Sequence, residues 1–250
     1  MEIITSTQNN RIKEIIKLKQ KKYRDKNRLF IIETNHLIEE ALKHYQLRLI
    51  ITDDYTYKSD KCDVLYVSSN IMKKISNLNS VPSLIGICEY IDNDIDYSFD
   101  VVVFDDIQDP SNLGNMMRTC LAFNINNIIL SNNCVDCYNP KCIQASQGAI
   151  FQLNIIRKDL LDYLDILKKE NYMLIGTSLT KAISIENRDK IMMKKAFFLG
   201  NEGQGLQEEI INNMDINYYI PINNIDSLNV GNALAIILYE FNKDKYDKNI

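Results

Sequence analysis

The chain has 250 residues, 46% hydrophobic and 25% charged, with a formal net charge of −4 and six cysteines. That length holds one large or two modest domains, and the balance is that of an ordinary soluble globular protein. No apolar run approaches the ~18 residues of a membrane span, the opening MEIITSTQNNRIK lacks the apolar core of a secretory signal, and cysteines without a regular framework point to free thiols in a reducing, cytoplasmic setting.

From Arg11 to Arg28 the chain carries nine basic residues (Arg11, Lys13, Lys17, Lys19, Lys21, Lys22, Arg24, Lys26 and Arg28) against Glu14 and Asp25. Read alone, such a stretch is a solvated helix face. In an otherwise acidic protein it also suits RNA or DNA, because neutralising phosphates releases counterions. The pattern predicts a basic helix over about 9–26, a strand at FIIE, and an amphipathic helix at NHLIEEALKH. Strands at LRLIIT and DVLYVS follow, then a helix near 69–77 and a strand at SLIGICEY. The acidic, aperiodic IDNDIDYSFD at 91–100 then reads as a linker. The expected domains are 1–92 and 100–250, joined by 93–99.

The second block opens on VVVFDDI, a continuous apolar strand of the kind buried on both faces of a parallel sheet. Helices are predicted at 112–124, 140–150, 159–170, about 206–213 and 229–243. Strands are predicted between them at 127–131, 153–156, 172–178, 196–200 and 217–222. This alternation means an α/β domain with helices on both faces of a parallel sheet, whose ligands collect at the carboxyl ends of the strands.

Three polar stretches fall at those ends. In DDIQDPSNLGNMMRTCLAF, Ser111 or Asn112 can cap a helix, and Arg118 is the only charge between Pro110 and Asp136. Its neighbours Met116, Met117, Cys120, Leu121 and Phe123 are apolar, so a buried helix is expected, on which a lone arginine needs a partner or an anionic ligand. In FLGNEGQGL, Gly200, Gly203 and Gly205 allow close backbone approach, but Glu202 sits among them and no lysine follows. Phosphate loops bring N–H groups and usually a lysine to their anion. A carboxylate suits a cationic or hydroxyl-bearing ligand such as the sulfonium S-adenosylmethionine, or else it fixes a neighbouring loop by accepting backbone hydrogen bonds. In YYIPINNIDSLNVGNALAIILYEF a polar loop opens a very apolar helix, with Ser227 as a candidate N-cap and Asn229 facing a ligand.

Together the three stretches resemble the SpoU/TrmH family of RNA ribose 2′-O-methyltransferases, within the SPOUT superfamily. NLGNMMR is similar to its motif 1, FFLGNEGQGL to motif 2 and IPINNIDSLNVGNALAIILYE to motif 3, in the same order and spacing, and YNPKCIQASQGAIF is similar to the segment between motifs 1 and 2. The resemblance spans about residues 100–242. More loosely, Asn10, Ile12, Lys13, Leu18, Lys22, Arg24, Phe30 and Glu33 resemble the family's L30e-like RNA-binding domain, with Thr34 where a glycine is usual.

The resemblance implies a deep trefoil knot in the C-terminal domain and S-adenosylmethionine as cofactor. Thr177, Ser178, Leu179, Gly200, Asn201, Gly205, Ile220, Ile222, Leu228, Asn229 and Ala233 would hold it. Arg118 would be catalytic, with Asn112, Glu202, Ser227 and Asn229 shaping the site. It further implies methylation of a ribose 2′-OH in structured RNA, 23S rRNA rather than tRNA, with Arg11, Lys13, Lys19, Lys21, Lys22 and Arg24 on the RNA. A homodimer through the C-terminal domain is implied as well, for which the stripe Ala233, Ile236, Ile237, Leu238, Phe241 is available, although a core would use the same stripe. A non-catalytic RNA-binding protein of the same fold would show damage at Arg118, Glu202 or Asn229, and all three are intact. DPSNLG lacks the GxGxxG of a dinucleotide enzyme. No metal is expected: Cys134, Cys137 and Cys142 lack a fourth ligand at zinc spacing. Gln144 stands where family members often carry arginine, which removes one RNA contact.

Overall fold

The computed structural model describes residues 2–44 and 46–246, so residues 247–250 of the expected 100–250 domain lie outside the described residues. The chain forms two compact units. One runs to Ile91 and adds Asp136–Phe151; the other takes Asp92–Val135 and the chain from Gln152 onward. The return of 136–151 to the first unit is not something periodicity foretells.

The first unit contains β1 (Ile3–Ile4), α1 (Asn10–Lys17), α2 (Lys21–Asn27), β2 (Leu29–Glu33), α3 (Asn35–Lys43), β3 (Leu47–Thr52), β4 (Asp63–Val67), α4 (Ser69–Ile75) and β5 (Leu84–Glu89). Its sheet runs β1-β4-β3-β5-β2, parallel among β1, β4 and β3 and antiparallel at β3/β5 and β5/β2. Ile12, Ile15, Ile31, Ile51, Ile71 and Ile85 fill the space between helices and sheet.

The expected basic helix is two helices. The Arg24 guanidinium donates to the carbonyls of Leu18 (3.0 Å) and Lys19 (2.9 Å), satisfying the end of α1 and stabilising the break. It also meets Asp136 of the returning segment at 2.5 Å, with both side chains nearly out of solvent. Tyr90 stacks on Tyr138 at 3.8 Å between centroids, fastening the same segment.

Thr34 stands at φ 106°, ψ 146°, a conformation a β-branched residue avoids. Its neighbours impose it. Its hydroxyl caps α3 by accepting from Leu37 N (3.4 Å), while the buried Glu33 carboxylate accepts from Ser76 Oγ (2.5 Å), Asn77 N (2.8 Å) and Asn77 Nδ2 (2.7 Å). Strain of this kind costs about 1–3 kcal/mol, whereas exchanging a threonine cap for glycine costs only a few tenths. Thr34→Gly should therefore raise the thermal midpoint by roughly 2–4 °C. An unchanged or lower midpoint in a melting curve would show that the backbone there is relaxed.

The second unit contains β6 (Val101–Phe104), α5 (Pro110–Ala122), β7 (Asn127–Ser131), β8 (Asn154–Lys158), α7 (Leu160–Lys169), β9 (Tyr172–Thr177), β10 (Ile183–Ser184), β11 (Lys194–Leu199), α8 (Glu208–Ile211), β12 (Ile216–Tyr219) and α9 (Val230–Tyr246); α6 (Pro140–Ser146) belongs to the returning segment. Its sheet runs β10-β12-β9-β11-β6-β7-β8, and every pair is parallel. The expected α/β alternation and parallel sheet are therefore observed. All four residues of β6 are buried, as its apolar run requires. Residues 92–99 have no regular structure, but they are packed: Ile95 joins the core, and Asp96 N donates to Asn127 Oδ1 at 3.1 Å.

Several boundaries differ. β6 ends at Phe104, because Asp106 turns the chain at φ 56°. α5 begins at Pro110, with Asp109 as N-cap instead of Ser111 or Asn112; the Asp109 carboxylate accepts from Ser111 N (2.6 Å) and Asn112 N (3.3 Å). The predicted 140–150 helix stops at Ser146, where Gln147 turns left-handed (φ 49°), and a 3₁₀ turn follows at Ala149–Gln152. The short β1 and β10 carry too few residues to show alternation.

Candidate active site

Chain order sends β6, β7 and β8 to one side of the second sheet, then crosses back to lay β9 and β11 on the other side of β6. This reversal opens a crevice at the strands' carboxyl ends. A cleft of about 350 Å3 lies there. Thr177, Ser178 and Leu179 enter it from the end of β9, and Gly200, Asn201, Glu202 and Gly205 from the loop after β11. Ile220, Ile222, Ser227 and Leu228 come from the loop after β12, and Ala233 from α9. Every residue predicted to hold a cofactor thus lines one cleft except Asn229, which stands beside it. Tyr218, Tyr219 and Asp226, not singled out in the sequence, also line it.

The loop after β11 is closed on itself. Asn201 and Gly205 exchange backbone hydrogen bonds (3.0 and 2.9 Å), and Asn201 Oδ1 accepts from Gly203 N (2.9 Å) and Gln204 N (3.1 Å). A Cβ on Gly200 would lie 2.1 Å from Gly205 C and Leu206 N, so only glycine permits the closure. Gly205, at φ 73°, makes the turn that side chains resist.

Glu202 does not project its charge at a ligand alone. Its carboxylate accepts from Asn112 Nδ2 (3.0 Å) and from the backbone N–H of Gln108 and Asp109 (3.3 Å each). Burial works against the charge, yet these hydrogen bonds hold the carboxyl below the ordinary glutamate range. The second alternative from the sequence, a carboxylate fixing a neighbouring loop, is therefore the geometry observed. Asn229 Nδ2 donates to Asn112 Oδ1 (3.0 Å), and Asn229 Oδ1 accepts from Gly231 N (2.9 Å). One chain of hydrogen bonds thus joins the three polar stretches, and it sets which way both amides face. Asn229 caps α9, the role expected of Ser227, because its side-chain oxygen lies within reach of Gly231 N.

Arg118 stands elsewhere. The helix is buried as expected, but the Arg118 side chain is exposed, does not line the cleft, and makes no hydrogen bond or ion pair among the described residues. The reason is angular. Leu113, Met116, Met117 and Cys120 make the buried stripe of α5, while six residues at 100° each place Arg118 about 240° around the axis from Asn112.

Beneath the cleft, Asp105 is fully buried, and its carboxylate accepts from Gln207 Nε2 (2.8 Å) and Gln207 N (3.2 Å). Burial pushes this carboxyl up; the bonds from Gln207 pull it back in part, and neighbouring Asp106 adds to the rise. A carboxyl raised in the folded state contributes stability that is present at low pH and is lost as pH climbs through its folded pKa. Asp105→Asn should therefore raise the melting temperature by roughly a few degrees at pH 7–8. The gain should vanish toward pH 4; melting curves across that range with a constant difference would contradict the assignment.

Of the predicted RNA-binding set, Arg11, Lys13, Lys21 and Lys22 are exposed. Lys21 is paired with Asp25 (2.5 Å), and Lys19 donates to Ser76 O (2.7 Å). Arg24 is only 3% exposed and committed to Asp136, which removes its guanidinium from the solvent-facing set. Gln144 is half-buried, its carbonyl accepting from Gln147 Nε2 (2.7 Å). Cys134, Cys137 and Cys142 are buried and form no disulfide, and Cys134 Sγ donates to Phe104 O (3.2 Å). The described residues contain no group of three metal-ligating side chains. In α9, Leu234, Ile237, Leu238 and Phe241 are buried, whereas Ile236 and Tyr239 remain 37% and 54% exposed.

A parallel sheet carrying a glycine-walled cleft, lined in part by Glu202 and Asp226, suits a small organic cofactor without phosphate groups. Residues 100–239 match the SpoU rRNA Methylase family, and residues 9–86 match the MRM3-like substrate binding domain. The chain is 31% identical, over 96% of its own length and 98% of the relative's, to the 23S rRNA (guanosine(2553)-2′-O)-methyltransferase RlmP of Bacillus subtilis. The crystal structure of an rRNA methyltransferase from Sinorhizobium meliloti superposes with a TM-score of 0.89 at 26% identity, covering 97% of this chain and 98% of that one. Its AdoMet-bound form gives the same TM-score at 25% identity. The chain belongs to the SpoU rRNA methylase family.

Proposed function

We propose that this protein transfers the methyl group of S-adenosylmethionine to a ribose 2′-OH of 23S rRNA. The observation that carries the reading is the hydrogen-bonded chain Glu202–Asn112–Asn229, which ties the three family motifs together at the mouth of the glycine-walled cleft. The cleft suits the cofactor. Gly200 leaves its backbone bare, Leu179, Ile220 and Leu228 would offer apolar cover for an adenosine, and the two carboxylates that line the cleft would suit a sulfonium cation. When bound, S-adenosylmethionine supplies an electrophilic methyl group.

In this reading Asn112 and Asn229 orient the site, Ser227 offers a hydroxyl at its rim, and Arg118 acts on the RNA. A guanidinium gives up its proton far less readily than a general base must, so arginine is poorly suited to that role. Its exposed, uncommitted guanidinium is better suited to pairing with an RNA phosphate and stabilising charge as the 2′-OH loses its proton. Proximity and in-line geometry supply much of the acceleration. Residues 1–92 serve as the RNA-binding domain, with 93–99 as connection and 100–250 as the methyltransferase domain, and Arg11, Lys13, Lys21 and Lys22 lie on the RNA face. The C-terminal domain forms the knot and a homodimer, consistent with the exposed Ile236 and Tyr239 on α9. The protein works in the cytoplasm.

The test is incubation with labelled S-adenosylmethionine and separated rRNA and tRNA, followed by digestion to nucleosides. Label should appear as a 2′-O-methylnucleoside from the rRNA. Label in tRNA alone, or on a base, would overturn the substrate or the chemistry. Arg118→Ala should lower turnover by at least ~100-fold and leave cofactor affinity within about threefold; unimpaired turnover would remove Arg118 from the mechanism.

A further inference from the structure

We infer that Arg157 is a positioning residue for this methyl transfer, acting through loop 131–135 on the turn that presents Gln108 and Asp109 to Glu202. The inference rests on the function proposed above, but its geometry does not. Arg157 sits near the end of β8, exposed and outside the cleft. Its Nη1 donates to the carbonyls of Ser131 (2.7 Å), Asn132 (3.1 Å) and Cys134 (2.7 Å), and its Nη2 to that of Val135 (2.9 Å). Four carbonyl dipoles converging on one point repel one another, and a planar cation with donors in a fixed fork is what lets them do so.

The loop held this way grips the other side of the site. Asp106, at the strained φ of 56°, has its N–H fixed by Ser131 Oγ (2.9 Å). Ile107 N donates to Cys134 Sγ (3.3 Å), and Ile107 O accepts from Val135 N (2.8 Å). Gln108 Nε2 donates to Asn133 O (3.0 Å). The next two N–H groups along the chain, of Gln108 and Asp109, are the ones Glu202 accepts, and Asp106 O accepts from Asn201 Nδ2 (2.9 Å). Arg157 therefore stands three hydrogen bonds from the cofactor loop, through Ser131 and Asp106 to Asn201, and lies outside the cleft. A left-handed aspartate held mainly from outside relaxes when its support is lost. The cofactor walls Thr177–Leu179 and Ile220–Leu228 belong to other loops and stay in place.

The experiment pairs hydrogen–deuterium exchange with steady-state kinetics on wild type, Arg157→Lys and Arg157→Ala. In Arg157→Ala the amides of Ile107, Gln108 and Asp109 should exchange at least ~10-fold faster while those of β9 are unchanged. The value of kcat should fall at least ~10-fold with cofactor affinity within about threefold. Arg157→Lys, with three donors in place of the fork, should fall between, and millimolar guanidinium should restore part of the alanine variant's turnover. Wild-type protection at 107–109, equally faster exchange throughout the unit, or kcat within twofold of wild type would each overturn the inference. If Arg157→Ala does not fold, Arg157→Lys and Arg157→Gln carry the same readouts. Absence of methyl transfer by the wild-type protein would count against the proposed function alone, since the exchange pattern tests the positioning by itself.

Discussion

The candidate site depends on one carboxylate. Glu202 accepts from Gln108 N, Asp109 N and Asn112 Nδ2, and through Asn112 it reaches Asn229. These groups come from three stretches, with Asn112 lying 90 residues before Glu202 and 117 before Asn229, and nothing else observed at the site joins all three. The charge on the acceptor strengthens each bond it accepts, of which that from Asn112 Nδ2, at 3.0 Å, is the shortest. The same bonds offset the burial that works against its charge and hold the carboxyl below the ordinary glutamate range. A negative charge inside a glycine-rich loop, which would defeat a phosphate site, becomes here the anchor of a site for a ligand without phosphate.

Around that anchor the loop after β11 is held at both ends. Gly200 permits a backbone contact that any side chain would block, the Asn201–Gly205 bridge closes the turn, and Asp105 grips Gln207 from below. Arg157 holds the opposing turn at 106–109 through loop 131–135. The loop after β11 that walls the cleft is tied down by hydrogen bonds, whereas Arg118 stands exposed on α5 outside the cleft. That division suits a bimolecular reaction in which one substrate fits a cleft and the other arrives across a surface.

Much of this was legible in the residues. VVVFDDI announces a buried parallel strand because apolar residues occur without alternation, and the βα alternation of the second unit is present as read. The cleft residues were legible through the resemblance of the three motifs to the family, which implied them residue by residue. What escaped has specific physical causes. The basic helix looked continuous because nothing local in 18–20 breaks it; a guanidinium six residues on, bound to Asp136, makes the break worthwhile. Arg24 looked like its basic neighbours, and only burial distinguishes it. Asp109 capped α5 where Ser111 was equally plausible by composition. Residues 136–151 joined the first unit through Arg24, Tyr90 and Phe30, contacts at long separation that no window detects. Glu202 left two roles open in sequence, and the choice required knowing that the turn at 108–109 comes within reach. Arg157 and Gln207 carried no signal at all, since their partners are backbone carbonyls and a buried aspartate from distant segments.

The claim that Glu202 works by orienting Asn112 is tested most directly by a double-mutant cycle on methyl transfer, using Glu202→Gln, Asn112→Ala and the pair together. Both single changes should lower turnover, and the pair should be little worse than the more severe single change, with an interaction of roughly 1–3 kcal/mol. Effects that add to within about 0.5 kcal/mol would mean that the two side chains act separately, and the carboxylate would then not be the anchor of the site.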